Sequence, residues 1–257
     1  MPVIQAALSV FGCYPATPGF ARRAVIIVAL LQIAQTSVFA ETVHDIRVWI
    51  NLTGQGPLAH ESRWRWYFDV QNRDRNSARD IDQFVARPGV GFALSERSSV
   101  WAGYAYTANF TAGGKVYENR VWEQYVWTTP VSSSSLSLRT RVEQRFFNGT
   151  SRTGWRIREQ IRWMRPVQAK PSINSILWDE VLFHMNTTTR SQRGLDQNRA
   201  FAGIGIKLNS KLRIDVGYLN QFIHSFPRDR MNRALWCRQF ELLMKIWSST
   251  CRRPDSG

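Results

Sequence analysis

The chain has 257 residues, and 44% of them are hydrophobic, so it can bury the core of one large β domain or of two small domains. It carries 34 basic and 19 acidic residues, a formal net charge of +15, and 29 of the basic residues are arginine, which suits partners that carry phosphate or carboxylate groups. With three cysteines and no metal-ligand spacing, we predict no disulfide framework, no metal site and no cofactor.

Residues 1–40 contain no acidic residue and have the pattern of a secretory signal peptide. Arg22 and Arg23 precede the apolar run AVIIVALLQI, and the small residue Ala40 precedes Glu41. An uncleaved membrane anchor is the alternative, but the run is shorter than the ~20 apolar residues that a spanning helix needs. We therefore predict export and cleavage near Ala40.

From residue 42 onward, apolar and polar residues alternate in long stretches, which predicts β-strands. In residues 61–73, for example, Trp64 and Trp66 share one face, whereas Arg63 and Arg65 share the other. The eleven predicted strands are 44–53, 61–73, 82–94, 98–109, 116–128, 134–147, 153–165, 174–186, 197–208, 211–222 and 233–247.

The connections between these strands alternate in length. The short segments GQGP, SERSS and NSK alternate with the longer segments DRNSARD, TAGGK and TTTRSQRGLD, as in an up-and-down barrel with tight turns at one rim and longer loops at the other. Bacterial single-chain membrane barrels have an even number of strands, so we expect ten or twelve, with residues 223–235 as the place for a twelfth. A soluble β-sandwich or a lipocalin-like barrel is the alternative fold.

Strand length and the type of polar residue favour the membrane barrel. The strands exceed the ~5–6 residues typical of soluble sheets and suit the ~9–11 tilted residues that cross a bilayer. Many of the eleven Trp residues lie near strand ends, as in aromatic girdles. We predict an all-β protein, a single antiparallel up-and-down transmembrane β-barrel of ten to twelve strands over residues 41–247. It would follow the signal peptide of residues 1–40, precede a polar C-terminal tail over residues 248–257, and lie in the bacterial outer membrane.

The charged face of each strand would point into the barrel lumen. The predicted inward charged residues are Arg63, Arg65, Arg87, Glu118, Arg120, Arg139, Arg141, Glu143, Arg145, Arg156, Arg158, Arg162 and Glu180, and the uncharged residues Gln124, Gln160 and Asn186 continue the same face. Arg and Glu on adjacent strands can plug a narrow lumen with ion pairs. Because Arg outnumbers Glu, unpaired guanidinium groups can instead attract small anions. Both interpretations stay open.

Five segments in order resemble a known protein family. They are RPGVGFALSERSSVWAGYAYT, ENRVWEQY, LRTRVEQRF, RIREQIRW and LDQNRAFAGIGIKLNSKLRIDVGYLNQF. They resemble the proteobacterial family called domain of unknown function 2490, from about residue 44 to about residue 224. The resemblance implies an uncharacterised outer-membrane β-barrel and no specific activity. A barrel of this class is expected to finish on an aromatic residue that the insertion machinery reads, but here SSTCRRPDSG follows Trp247.

Three classes of function remain: a structural or interaction barrel, an anion-preferring channel for small solutes, and an outer-membrane lipid-modifying enzyme. The enzyme would rely on His184 and Asn186, but the spacing of a strand-borne His-x-Ser pair is absent, so we predict no catalytic residue and no enzyme. Nucleic-acid binding is disfavoured because the arginines alternate along strands and do not cluster. The expected partners are outer-membrane lipid, small anionic solutes and the barrel-insertion machinery.

Overall fold

The computed structural model describes residues 47–75, 80–111, 113–224 and 234–247. These residues form the strands β1 (Arg47–Pro57), β2 (Trp64–Arg75), β3 (Asp80–Ala93), β4 (Ser98–Thr111), β5 (Gly114–Val131), β6 (Ser134–Phe147), β7 (Gly154–Val167), β8 (Lys170–His184), β9 (Gly194–Lys207), β10 (Leu212–His224) and β11 (Ala234–Trp247). Each of the eleven predicted strands is present. The predicted signal peptide and the polar tail lie outside the described residues.

The strands form one closed sheet. Each strand pairs antiparallel with the next along the chain, and β1 pairs with β11 to close the barrel. The all-β, up-and-down barrel is therefore confirmed. The expected even strand number does not hold for the described ranges, which contain eleven strands. With an odd number of alternating strands, the first and last run in the same direction, so the closing pair is parallel. No helix within the described residues is long and apolar enough to cross a membrane.

The connections lie at two rims. We call one the short-turn rim; it holds residues 58–63, 94–97, 132–133, 168–169 and 208–211. The other, the loop rim, lies at the opposite strand ends and holds residues 113, 148–153 and 185–193 of the described part of the chain. Two predictions of the connections are wrong. The segment GQGP belongs to β1, and TAGGK contains only a two-residue connection because β4 and β5 extend to Thr111 and Gly114. Gly114 has a φ of +112°, a conformation that favours glycine in so tight a turn.

Contacts between strands that are not neighbours show which face is enclosed. Arg162 on β7 donates to Asp215 on β10 at 2.8 Å, and Arg139 on β6 donates to Glu180 on β8 at 2.5 Å. Such side chains can meet only across the inside of a closed sheet. Arg139 and the residues two positions away therefore point inward, and the alternate residues, such as Leu138, point outward.

The outer surface is largely apolar, with polar groups that bond to one another. The exposed large apolar side chains include Ile50, Trp64, Val90, Val100, Tyr104, Val121, Tyr125, Leu138, Phe146, Trp155, Leu177, Phe183, Ile204 and Tyr218. Thr140 donates to Glu159 at 2.8 Å, and Asn198 donates to Asp179 at 3.1 Å. Each of these pairs reduces the cost of placing polar groups on an apolar face.

Glycines make room for large rings inside the barrel. Gly89 on β3 and Gly103 on β4 are register partners, and a Cβ added to either would lie 2.6–2.7 Å from the ring of Trp122. A Cβ on Gly203 would likewise lie 2.6 Å from the ring of Phe201. Without these three glycines the rings would lack space, so the glycines have a packing role.

Candidate functional site: the arginine-rich barrel interior

One group of ion pairs lies inside the barrel on β5, β6 and β7. Glu118 accepts bonds from Arg120, at 2.7 and 2.8 Å, and from Arg145, at 2.5 and 3.1 Å. Glu143 accepts from Arg156, at 2.6 and 2.9 Å. Both carboxylates are 1% exposed, so each is stable there only because guanidinium groups bond to it.

Among the described residues, Glu180 on β8 is the carboxylate with the most arginine partners. Arg158 donates to it at 2.7, 2.8 and 3.1 Å, Arg139 at 2.5 Å and Arg199 at 3.3 Å. Arg158 also donates to Glu143 at 3.0 Å, so this arginine joins the two carboxylates. The single carboxylate of Glu180 thus accepts hydrogen bonds from three guanidinium groups on three different strands.

Two further carboxylates show the same pattern. Asp69 on β2 bonds with Arg87 on β3, and both side chains are buried. Asp215 on β10 pairs with Arg162 at 2.8 Å and with Arg213 at 2.8 Å. Again the carboxylates are shared or matched by arginines, and the interior keeps an excess of positive charge.

Arg73 and Arg141 point into the interior and contact no carboxylate among the described residues. Arg73 donates to the amide oxygen of Gln71 at 2.6 Å and stacks 4.0 Å from the ring centre of Trp49. Arg141 donates to the amide oxygen of Gln124 at 2.5 and 2.8 Å and stacks on Trp122. The partners of these two charges are neutral amides and aromatic faces.

A cavity of about 310 Å³ lies against these arginines. On β5 and β6 its lining residues are those next to the short-turn rim, from Gln124 to Thr128 and from Ser135 to Arg141. The described arginines that line it are Arg73, Arg87, Arg139, Arg141, Arg158, Arg162, Arg199 and Arg213, and the described carboxylates that line it are Asp69 and Glu180. The cavity is therefore a strongly cationic space with a mixed wall of Trp, Met, Gln, Ser and Thr side chains.

The Glu118 group lies apart from the cavity. Glu118 and Arg145 belong to the ends of β5 and β6 near the loop rim and are not among the lining residues. Their side chains are buried or nearly so. On β5 and β6, ion pairs thus fill the interior toward the loop rim, whereas the cavity lies toward the short-turn rim.

The structure places most of the predicted inward residues in this interior. Those with ion pairs or cavity positions are Arg87, Glu118, Arg120, Arg139, Arg141, Glu143, Arg145, Arg156, Arg158, Arg162 and Glu180. Arg65 is half-buried on β2, opposite Pro57 and Gly91. Gln124 and Gln160 line the cavity.

Two predicted residues lie elsewhere. Arg63 is in the turn before β2, where it donates to the carbonyl oxygens of Ala93 and Leu94. Asn186 follows the end of β8 at the loop rim and donates to the carbonyl oxygen of Thr153 at 2.9 Å. For both residues the strand is shorter than predicted, so strand alternation does not decide the side-chain direction.

Several interior residues were missing from the predicted set: Asp69, Arg73, Asp196, Arg199, Arg213 and Asp215. Continuing the alternation along β2, β9 and β10 would have identified most of them. Asp196 is different, because it precedes the predicted strand and lies next to a shift in register between β8 and β9. Alternation alone does not assign it to a face.

His184 also points into the interior. It lies 3.3 Å from Asp196, which Arg156 contacts at 3.1 Å. A hydrolase would need a nucleophile bonded to this histidine, and no hydrogen bond from a Ser, Thr or Cys to His184 is present among the described residues. Within the described ranges, no three His, Cys, Asp or Glu side chains are placed to hold a metal ion.

A family model described as a protein of unknown function, DUF2490, matches residues 46–232. The chain belongs to the DUF2490 family. This confirms the resemblance inferred from the five sequence segments. An uncharacterised protein of Methylorubrum extorquens, strain AM1, is 31% identical over 186 residues, which cover 71% of this chain and 80% of the relative. Neither description gives DUF2490 an activity.

Among solved structures, the NanC porin matches 74% of this DUF2490 chain and 93% of its own chain. The sequence identity is 10% and the TM-score is 0.42. The barrel architecture of this DUF2490 protein rests on its own strand pairing.

Proposed function

We propose that this protein is an exported outer-membrane β-barrel whose interior takes up small anionic solutes. The membrane location is supported by the outer surface, where large apolar side chains stay exposed on strand after strand. A soluble protein rarely exposes so continuous an apolar surface, whereas lipid would cover it. The signal peptide over residues 1–40 supplies the route of export, and residues 248–257 would follow the last strand as a tail.

The orientation follows from the connections. Outer-membrane barrels have short turns on the periplasmic side and longer loops outside. The short-turn rim would face the periplasm, and so would the part of the cavity that β5 and β6 line. The ion-pair group around Glu118 would lie toward the cell exterior.

The observation that carries the proposal is the charge of the cavity wall. Eight of its described lining residues are arginine and two are carboxylates. Cations are repelled from such a wall, whereas carboxylate and phosphate groups match the planar donor fork of arginine. The interior therefore favours small anions.

A second candidate function is a structural barrel closed by its own ion pairs. The buried Glu118 and Glu143 groups support it, because small barrels are often filled by side chains. In this case the protein would carry no current, and its role would lie in its loops or its outer surface.

The first experiment is heat-dependent gel mobility of the protein in purified outer membranes, followed by reversal-potential measurements in planar bilayers under a KCl gradient. We expect the gel mobility to change on heating, and we expect the sign of the reversal potential to show that chloride passes more readily than potassium. Arg165→Gln is a control for the charge of the interior, because Arg165 alternates with the inward residues of β7 and is exposed. Its loss should leave the reversal potential unchanged. Cation selectivity would contradict the proposal. Heat-modifiable mobility without conductance would favour the structural barrel, and a soluble periplasmic protein would contradict the membrane location.

A further inference from the structure

Arg141 is a buried charge with unused hydrogen-bonding capacity. Its side chain is 1% exposed and lines the cavity from β6. Nε and Nη2 donate to Gln124, whereas Nη1 has no hydrogen-bond partner among the described residues. A buried guanidinium without a counter-charge is costly, so a purely structural role gives no reason to keep it.

The guanidinium of Arg141 stacks on the ring of Trp122. Its guanidinium carbon lies 4.9 Å from the ring centre of Trp122, and that ring fills the space left by Gly89 and Gly103. Stacking on an aromatic face favours arginine over lysine and holds the guanidinium plane in one orientation. The donor is therefore held in place before any ligand arrives.

The neighbours of Arg141 do not neutralise it. Arg158 is its register partner on β7, and Arg139 precedes it by two positions on β6. Both neighbours are cations whose bonds go to Glu143 or Glu180. The charge of Arg141 adds to theirs, and an anion in the cavity would be attracted by all three.

We propose that Arg141 is the anchor of an oxyanion site in the cavity, which binds the carboxylate or phosphate group of a small organic acid. This assignment rests on the proposed function of the interior. Gln124 orients the guanidinium, and Nη1 is left to donate to the ligand. The apolar cavity wall of Val126, Met164 and Trp178 accommodates the body of the acid. A cavity of about 310 Å³ is at the lower end of the size of ligand sites, which favours a small solute.

The test is isothermal titration of the full barrel, refolded in detergent, with benzoate and with inorganic phosphate. We expect at least one probe to bind, and Arg141→Met to weaken that binding by roughly 10- to 100-fold, since a hydrogen bond to a charged group is lost. Competition between the probes would indicate one site for both oxyanions, whereas binding of benzoate alone or phosphate alone would assign the site to one chemistry. Unchanged affinity in Arg141→Met would overturn the assignment, and so would a wild-type barrel that binds neither probe.

Unfolding measured without a probe separates a ligand anchor from a structural arginine. Arg141→Met removes a buried charge that has no counter-ion in the described part of the barrel, so we expect its unfolding midpoint to equal or exceed that of the wild type. Arg158→Met is the matched control, because it removes the partner of two buried carboxylates and should unfold earlier. An equal loss of stability in both variants would make Arg141 structural and overturn the proposal. If the barrel is anion-selective but Arg141→Met binds the probes as the wild type does, only the Arg141 site is contradicted. Cation selectivity would contradict the proposed function itself.

Discussion

Substitution of Glu180 by Gln tests whether shared carboxylates hold the barrel together. Glu180 is 2% exposed and is bonded by arginines from β6, β7 and β9. Breaking a buried ion pair by removing one partner costs about 3–5 kcal/mol. Part of the Arg139 side chain is exposed, so water can solvate its charge once Glu180 is replaced. We therefore take the lower end of that range, a loss of about 3 kcal/mol in the free energy of unfolding. For a barrel of this size the unfolding midpoint would fall by roughly 6–12 °C.

The assay is the temperature at which half of the refolded protein loses its heat-dependent gel mobility, supported by urea unfolding in the same detergent. Glu159→Gln is a matched control, since Glu159 lies on the outer surface of the neighbouring strand and accepts one bond from Thr140. The control should shift the free energy of unfolding by less than about 0.5 kcal/mol. Equal midpoints for the two variants would refute the argument. The Glu180 variant should also become more anion-selective, because its interior gains one positive charge.

Three further outcomes are expected. Gly103→Ala would place a Cβ in steric conflict with the carbonyl oxygen of Pro88 and 2.7 Å from the ring of Trp122, so it should lower both stability and the near-ultraviolet circular dichroism of tryptophan. Gly113→Ala, where the nearest side-chain atom is 3.9 Å away, provides a control for the loss of a glycine. Glu123→Leu, on the exposed outer face, should raise the unfolding midpoint in detergent if lipid covers this face, and a lower midpoint would argue for contact with water. A chain that ends at Trp247 should reach the outer membrane in a larger heat-modifiable fraction than the full chain; equal fractions would show that the tail does not affect insertion.

The strands were predictable because one face of each is apolar and the other is polar over many residues. β6 has the predicted bounds, residues 134–147, since both of its faces are strongly marked. The bounds of β8 were less accurate: it begins at Lys170, four residues before the prediction. The sequence KPS carries no alternation. Lys170 joins the sheet because β7 extends to Val167, its register partner, and a shift in register separates this pair from that of Pro166 and Asn174.

The ion-pair partners were not predictable from the sequence. Alternation assigned Arg139, Arg162 and Glu180 to the inside, but it does not give the contacts across the barrel. Arg162 meets Asp215 three strands away because the sheet closes, and closure is a property of the whole sheet. That Arg141 has no carboxylate partner among the described side chains is likewise visible only once these side chains are placed in the barrel.

The parallel pair of β1 and β11 bears on the order of folding. Every antiparallel pair in the described barrel joins strands that follow one another along the chain, so each can form as a local hairpin. The closing pair of β1 and β11, which we call the seam, instead joins Arg47 to Gln239, close to the two ends of the sheet. Contacts between residues so distant in sequence form slowly, since a long loop must close first. We expect amide protection in pulse-labelled hydrogen exchange to appear last at β1 and β11, so that an incomplete barrel stays open along this seam until the final strand arrives.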